Sequence, residues 1–259
     1  MSISSFDEEV LVDLEKMKQD PEMLSLSIEW LKKANQYKYS YHFNFLGRPI
    51  IQYPQDMIAV QELIWAVKPD LIIETGIAHG GSLILSAASL ALLDLNDAVQ
   101  QGTTLDPTRS KRLVIGVDVD IRKLNRKEIE NHFLFSRIKL VEGSSTDPKI
   151  ISKIKQFSEP FKTVMVMLDS NHTKDHVLNE LIAYAPLVSR NSYCIVFDTV
   201  IEDLSGVDWV NRSWGLGNNP KIAVDEFLKI NSNFEIDKNL QNKLQITVAP
   251  DGYLKRINL

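Results

Sequence analysis

The run Glu74-Thr75-Gly76-Ile77-Ala78-His79-Gly80-Gly81-Ser82 places a carboxylate, three glycines and a hydroxyl where an apolar stretch gives way to a helical one. Glycines let a backbone approach a ligand closely, and a helix entered directly afterwards aims its free amides at a carboxylate or phosphate. The spacing is E-x-G-x-x-x-G-G, whereas the dinucleotide fingerprint reads G-x-G-x-x-G. This favours the methionine end of S-adenosylmethionine over a pyrophosphate, with Glu74, Gly76, Gly80, Gly81 and Ser82 as contacts. A tight turn that binds nothing is the plain alternative. A second acidic segment, Gly116-Val117-Asp118-Val119-Asp120, follows about 40 residues later rather than the roughly 20 of the dinucleotide motif. Asp118 can accept both hydroxyls of an adenosine ribose, or serve as a helix cap. In Glu142-Gly143-Ser144-Ser145-Thr146-Asp147, Ser144 and Ser145 can flank an adenine, and the same hydroxyls make good caps.

Two further segments carry chemistry of another kind. Leu168-Asp169-Ser170-Asn171-His172 and Val196-Phe197-Asp198-Thr199 each end an apolar run in an aspartate. If those runs are neighbouring strands, Asp169 and Asp198 share one crevice and can hold a hard divalent ion such as Mg²⁺, which prefers oxygen ligands and keeps several waters. Such an ion would lower the pKa of a substrate hydroxyl. His172 is close enough in sequence to act as general base on that hydroxyl, with an intrinsic pKa near working pH. The bland reading makes His172 a loop residue and the aspartates caps or cofactor contacts. The five histidines form no H-x-D pair and no H-E-x-x-H motif, so neither a facial-triad iron site nor a zincin helix is written. Cys194 lies among apolar residues and reads as a buried structural thiol.

The elements that must position these groups follow from hydrophobic periodicity. Short apolar strands are expected at 71–73, 113–117, 138–141, 164–168 and 193–197, separated by helices from 82, over 122–132, 148–157 and 175–188. That alternation means βαβ units with right-handed crossovers and a mostly parallel sheet, and ligands then bind beyond the carboxyl ends of the strands. The polar segment 97–109 reads as an inserted loop that delays Asp118. A helix is expected from Pro54 to Val67 and another over 223–230. Two late strands, 234–236 and 245–248, predict an antiparallel hairpin closing the sheet. The first forty residues read as two amphipathic helices, one with Phe6, Val10, Leu11 and Leu14 on a face, the next starting at Pro21 with Leu24, Ile28 and Leu31. Residues 1–44 form either a cap over the site or an oligomer arm; residues 45–259 form one Rossmann-like α/β domain.

Composition narrows the partners. With 29 basic and 34 acidic residues well mixed and a net charge of −5, neither nucleic acid nor an anionic membrane is an expected partner. The single cysteine excludes an intrachain disulfide and fits a reducing, cytoplasmic location. The acidic N-terminus lacks the basic start of a signal peptide. The apolar run at 83–95 is interrupted by Ser86, Ser89 and Asp94 and is shorter than a bilayer span of ~20 residues, so it reads as a buried helix.

Four strings together resemble the family of rhamnosyl O-methyltransferases and of proteins named cephalosporin hydroxylases. They are Leu46-Gly47-Arg48-Pro49-Ile50 with Gln52-Tyr53-Pro54-Gln55-Asp56; Pro69-Asp70-Leu71-Ile72-Ile73-Glu74-Thr75-Gly76 with Gly80-Gly81-Ser82; Leu168-Asp169-Ser170-Asn171-His172; and Pro250-Asp251-Gly252-Tyr253-Leu254-Lys255-Arg256. The resemblance covers residues 45–259. It implies a class I methyltransferase fold, S-adenosylmethionine, Mg²⁺, a small-molecule acceptor hydroxyl on a sugar or secondary-metabolite scaffold, and a homo-oligomer. It also implies a metal-binding aspartate at Asp169, which borders the cofactor as well, and a catalytic histidine at His172. The family pattern then has a glutamate–aspartate pair where this chain has Phe197-Asp198. One metal ligand is therefore replaced, with Glu202 and Asp203 in the next loop as the available substitutes. Phe197 also motivates a second reading, a non-catalytic partner protein that retains the fold and the cofactor pocket. The hydroxylase name has no support in these residues.

Overall fold

The computed structural model describes residues 5–207, 209 and 211–258. Helices α1 (Ser5–Lys18) and α2 (Pro21–Asn35) precede a small hairpin of β1 (Phe43–Phe45) and β2 (Arg48–Ile50), and α3 (Pro54–Val67) leads into the sheet. There follow β3 (Leu71–Thr75), α4 (Gly81–Gln101), β4 (Leu113–Asp118), α5 (Lys123–Glu130), β5 (Ile138–Glu142), α6 (Pro148–Ser158), β6 (Val164–Leu168), α7 (Lys174–Tyr184) and β7 (Tyr193–Val196). The chain ends with α8 (Pro220–Ile230), β8 (Phe234–Ile236), α9 (Lys238–Leu244) and β9 (Tyr253–Arg256).

The main sheet has the order β5-β4-β3-β6-β7-β9-β8. Its first five strands are parallel, and β9 runs antiparallel to both neighbours. Strands β3, β6 and β7 are buried along their whole length, the state that near-continuous apolar runs require in a sheet covered on both faces. Alternation within each strand divides the core into two layers. Ile72, Val114, Met165, Met167 and Ile195 face α3 and α4, while Ile73, Ile115, Val166, Leu168 and Val196 face the α6, α7 and α8 side. The chain moves outward from β3 to β5 and then returns to β6 on the other side of β3. The switch in strand order therefore falls between β3 and β6, where ligands bind in such sheets.

Two expectations change. The second strand of the closing hairpin is Tyr253–Arg256, paired with β8, and residues 245–248 are not a strand. They form instead an irregular segment whose Thr247 hydroxyl and Val248 amide bind the buried Asp56 carboxylate of α3. The polar stretch after residue 97 is helical as far as Gln101, because Asp94 and Asp97 on α4 pair with Arg112 at the start of β4, and Asp94 also with the buried Arg137. At the N-terminus, α1 packs beside α9 but leaves Phe6, Leu11 and Val12 exposed, and none of its residues is buried. Helix α4 is long and apolar enough to cross a bilayer, yet half of its apolar window is buried and it packs on α3 and β4 as a core helix. Cys194 is buried within β7, as expected, and burial pushes its thiol pKa up.

Asp56 ties the closing segment to the rest of the fold. It accepts hydrogen bonds from Thr247 Oγ1, from Val248 N at 3.0 Å and from Tyr253 Oη at 2.7 Å, and it is fully buried. Replacing it leaves three donors facing an apolar layer. Asp56→Ala is expected to reduce unfolding stability by about 2–4 kcal/mol, as measured by urea titration; a loss below ~0.5 kcal/mol would contradict this role.

Candidate active site

The parallel register aligns the ends of four strands. Thr75 is opposite Val117 on one side and Leu168 on the other, and Leu168 is opposite Val196. The next residues, Gly76, Asp118, Asp169 and the Phe197-Asp198 pair, therefore emerge at one edge of the sheet. Backbone bonds lock this edge: Gly76 N donates to Val117 O at 2.8 Å, Asp169 N to Thr75 O at 2.9 Å and Phe197 N to Leu168 O at 3.0 Å.

Gly76 has φ +87°, and a Cβ there would lie 1.9 Å from the Asp169 carbonyl oxygen, so no side chain fits. Gly81 is equally confined: a Cβ would lie 2.3 Å from Pro49 O, because the β1–β2 hairpin packs on the loop. Arg48 from that hairpin donates to His79 O at 2.7 Å, and Asn125 Nδ2 of α5 donates to Ala78 O at 2.8 Å. Asp118 Oδ2 accepts from Ile77 N at 2.8 Å, and Oδ1 accepts from Asp120 N at 3.1 Å. Asp118 thus shapes the glycine loop, and its carboxylate retains free lone pairs toward the pocket it borders. That pocket, about 410 Å³, is also bordered by Gly76, Ser144, Ser145, Asn171 and Trp214. Gly80 caps α4 in a left-handed conformation.

Glu74 and Ser82 meet beneath the loop, with Ser82 Oγ donating to Glu74 Oε1. Glu74 is 2% exposed, and burial pushes its pKa up to about 8. Its Oε2 and the Gln52 Oε1 are buried acceptors without a partner. Two orphan acceptors beside a glycine loop call for a ligand with hydrogen-bond donors, and the α-ammonium of S-adenosylmethionine is one. The residues present therefore fit that cofactor.

Beyond β6 and β7 the acidic groups converge. Asp169, His172 and Asp198 each offer a ligand atom, and these atoms lie within 4.8 Å of one another. His172 Nε2 is 3.3 Å from Asp198 Oδ2, and its ring stands edge-on to Trp214 at 4.7 Å between centroids. Asp198 is held at φ +57°, an uncommon backbone state for a non-glycine residue. The Asp169 pKa is raised well above the carboxylate range by burial and by the charges of Asp198, Glu74 and Glu180, against one hydrogen bond from Gln52 at 3.1 Å. Crowded carboxylates of this kind are relieved by a divalent cation. Phe197 is buried in the layer shared with α3 and α4 and lines a narrow space beside Asp169, Glu74 and Gln52, making that wall apolar. Neither proposed substitute reaches the cluster. Glu202 accepts from Gly217 N at 2.8 Å and from Asn219, and Asp203 pairs with Lys221 at 2.8 Å.

A second pocket, about 490 Å³, is bordered by Asp198 and shares Trp214 with the first; Leu31, Asn35 and Tyr53 border it as well. Tyr53 stacks on Tyr39 at 5.5 Å and is 5.8 Å from Trp30, which anchors α2 against this pocket.

Some groups of the site were not singled out from sequence. Gln52 lay within a quoted string but without a role. Glu180 is fully buried on α7, in line with Val177, Leu181 and Tyr184; a glutamate on that apolar stripe was the available signal. His176 lies four residues after His172, but its Nε2 is directed to Ser145 Oγ at 3.1 Å and Ser170 Oγ at 3.0 Å rather than to the acidic cluster.

Taken together, the sheet order, the glycine loop and the acidic strand ends define an S-adenosylmethionine-dependent O-methyltransferase of the class I fold. The family model described as rhamnosyl O-methyltransferase/CmcI matches residues 37–257, and the chain belongs to that family. A rhamnosyl O-methyltransferase of Mycobacterium bovis (strain BCG / Pasteur 1173P2) is 30% identical over 204 residues, 78% of this chain and 73% of the relative. One from Mycobacterium leprae (strain TN) is 26% identical over 232 residues, 86% of this chain and 90% of the relative. Among solved structures, an apo form of CmcI aligns with a TM-score of 0.53 at 18% identity, covering 85% of this chain and 78% of that one. The apo structure of CalS11, a TDP-rhamnose 3'-O-methyltransferase, aligns at 0.51 and 15% identity, covering 99% and 96%. These two likenesses bear on the fold.

The buried Glu74 makes a pH-dependent contribution to stability. Its carboxyl ionises at its ordinary 4.5 in the unfolded chain and only at about 8 in the fold. Between those values the native state holds an additional proton, so this contribution falls as pH rises, with a limiting slope of ~1.4 kcal/mol per pH unit. Glu74→Gln removes the titrating group, and its stability relative to the natural protein is expected to improve steadily from pH 5 to pH 8 in urea unfolding. Parallel profiles for the two proteins would contradict it.

Proposed function

We propose that this chain transfers a methyl group from S-adenosylmethionine to a hydroxyl of a sugar or secondary-metabolite acceptor, with Mg²⁺ assistance. The observation that carries this reading is the His172–Asp198 pair, 3.3 Å apart, with Asp198 lining one pocket and His172 set against Trp214, which borders both pockets. The rhamnosyl O-methyltransferase relatives support a sugar as acceptor.

Bound S-adenosylmethionine supplies a methyl carbon made electrophilic by its positive sulfur. Glu74 and Gln52 receive its ammonium, Gly76, Gly80, Gly81 and Ser82 give it backbone clearance and helix amides, Asp118 takes the ribose hydroxyls, and Ser144 and Ser145 flank the adenine. Asp169 and Asp198 would hold Mg²⁺, which lowers the pKa of the acceptor hydroxyl. His172 takes the hydroxyl proton at Nε2, where the Asp198 carboxylate stabilises the imidazolium. The acceptor oxygen bonds to the methyl carbon as the carbon–sulfur pair returns to sulfur, leaving the thioether neutral. Trp214, seated against His172, limits water at the junction. Alignment of oxygen, carbon and sulfur provides much of the acceleration. Leu31, Asn35 and Lys38 line the acceptor pocket, which supports a cap role for the second half of the N-terminal segment; the exposed Phe6, Leu11 and Val12 of α1 support an oligomer contact for the first half.

His172→Ala is expected to lower kcat by about 100-fold or more while S-adenosylmethionine affinity in calorimetry changes no more than about twofold. Near-normal turnover of the variant would remove His172 as the base. Chelation with EDTA is expected to lower turnover about tenfold or more and Mg²⁺ to restore it; full activity in EDTA would leave the His172–Asp198 pair to work without metal.

A further inference from the structure

Two cations, Lys38 and Arg212, join Asp198 in lining the acceptor pocket. Neither makes an ion pair with a carboxylate among the described residues, in a chain with 34 acidic against 29 basic side chains. Trp209, in the same wall, adds an indole N–H that is buried and has no acceptor. One buried indole N–H without an acceptor, beside two exposed cations on the same cavity, suits a ligand rich in anionic oxygen.

Their placement relative to the reacting centre narrows the chemistry. The Arg212 guanidinium is 5.0 Å from the Trp214 ring centroid, and the His172 ring is 4.7 Å from the same centroid. The cation and the base thus both contact one indole, whose ring gives the apolar face of a sugar a surface between the reacting hydroxyl and the anion. A hydroxyl at His172 and Asp198, a sugar ring against Trp214 and an anion at Arg212 and Lys38 follow in that order. The Asp198 carboxylate at the inner end repels an anion and fixes the direction of entry.

We infer that the acceptor is a phosphate-bearing glycoside, such as a nucleoside-diphosphate sugar, whose phosphate groups are bound by Arg212 and Lys38 while its sugar hydroxyl faces His172. This rests on the methyl-transfer reading above for the orientation of the sugar, but the anion subsite is testable without turnover.

Thymidine diphosphate is titrated into the full chain, with the fluorescence of Trp209 and Trp214 as readout. Saturable quenching is expected, weakening as salt is raised, and weakening about tenfold or more in the Lys38→Gln, Arg212→Gln double variant. Circular dichroism confirms that the variant is folded, and its S-adenosylmethionine affinity serves as a second control. No saturable binding at millimolar concentration, or binding indifferent to the double substitution, overturns the inference. Methylation assays with a neutral methyl rhamnoside and a diphosphate-linked rhamnose separate the two readings. Methylation of the neutral glycoside at the same KM as the charged one removes the anion subsite and preserves the methyl-transfer reading. Thymidine diphosphate binding that depends on Lys38 and Arg212, with no glycoside methylated, preserves the subsite and removes the reading of a sugar acceptor.

Discussion

The close approach of two strand ends is the constraint on which the site depends. A side chain at position 76 would lie 1.9 Å from the Asp169 carbonyl oxygen, so the glycine loop leaving β3 and the acidic segment leaving β6 are in backbone contact. This contact lies where the strand order reverses, and a crevice forms because neighbouring segments diverge to opposite sides of the sheet. The loop holds its shape through Asp118 from β4, Arg48 from the β1–β2 hairpin and Asn125 from α5. Three distant parts of the chain therefore contribute to one turn, and cofactor contacts and acidic cluster are positioned by the same backbone.

Electrostatics explains why that crevice can do chemistry. Burial and neighbouring carboxylates disfavour ionisation of Glu74 and Asp169 beneath the loop. Such an arrangement is costly in the free protein and becomes favourable when positive charge arrives, as the ammonium and sulfonium of S-adenosylmethionine would bring. Phe197 raises the cost further by presenting an apolar surface next to Asp169. With that wall in place, His172 and Asp198 form a polar corner against Trp214, which borders both pockets.

Much of the sheet was legible because buried parallel strands are short apolar runs with polar helices between them. All five strands from β3 to β7 lie where periodicity placed them, with ends that differ by at most two residues. The closing hairpin was only half legible. Gln245-Ile246-Thr247-Val248 has strand composition, yet Asp56 takes Thr247 and Val248 as partners from 191 and 192 residues away, and Tyr253–Arg256 fills the sheet instead. Tertiary hydrogen bonding overrode local propensity there. The extension of α4 past residue 97 has the same origin, since its carboxylates are satisfied by Arg112 and Arg137 outside the helix.

The site divides similarly. Glu74, Gly76, Ser82, Asp118, Asp169 and His172 were visible because the types of residue at strand ends and their spacing are local properties of the chain. That Asp169, His172 and Asp198 approach within 4.8 Å was decided by strand register. Gln52 at Asp169, Lys38 and Arg212 in one pocket, and the engagement of Glu202 and Asp203 elsewhere were also settled only by the packing of segments far apart in sequence. Sequence alone determined which chemical groups sit at the strand ends, because side-chain type and hydrophobic period are written residue by residue. Tertiary structure decided which groups face one another, because burial and long-range hydrogen bonding act between segments whose separation along the chain carries no distance information.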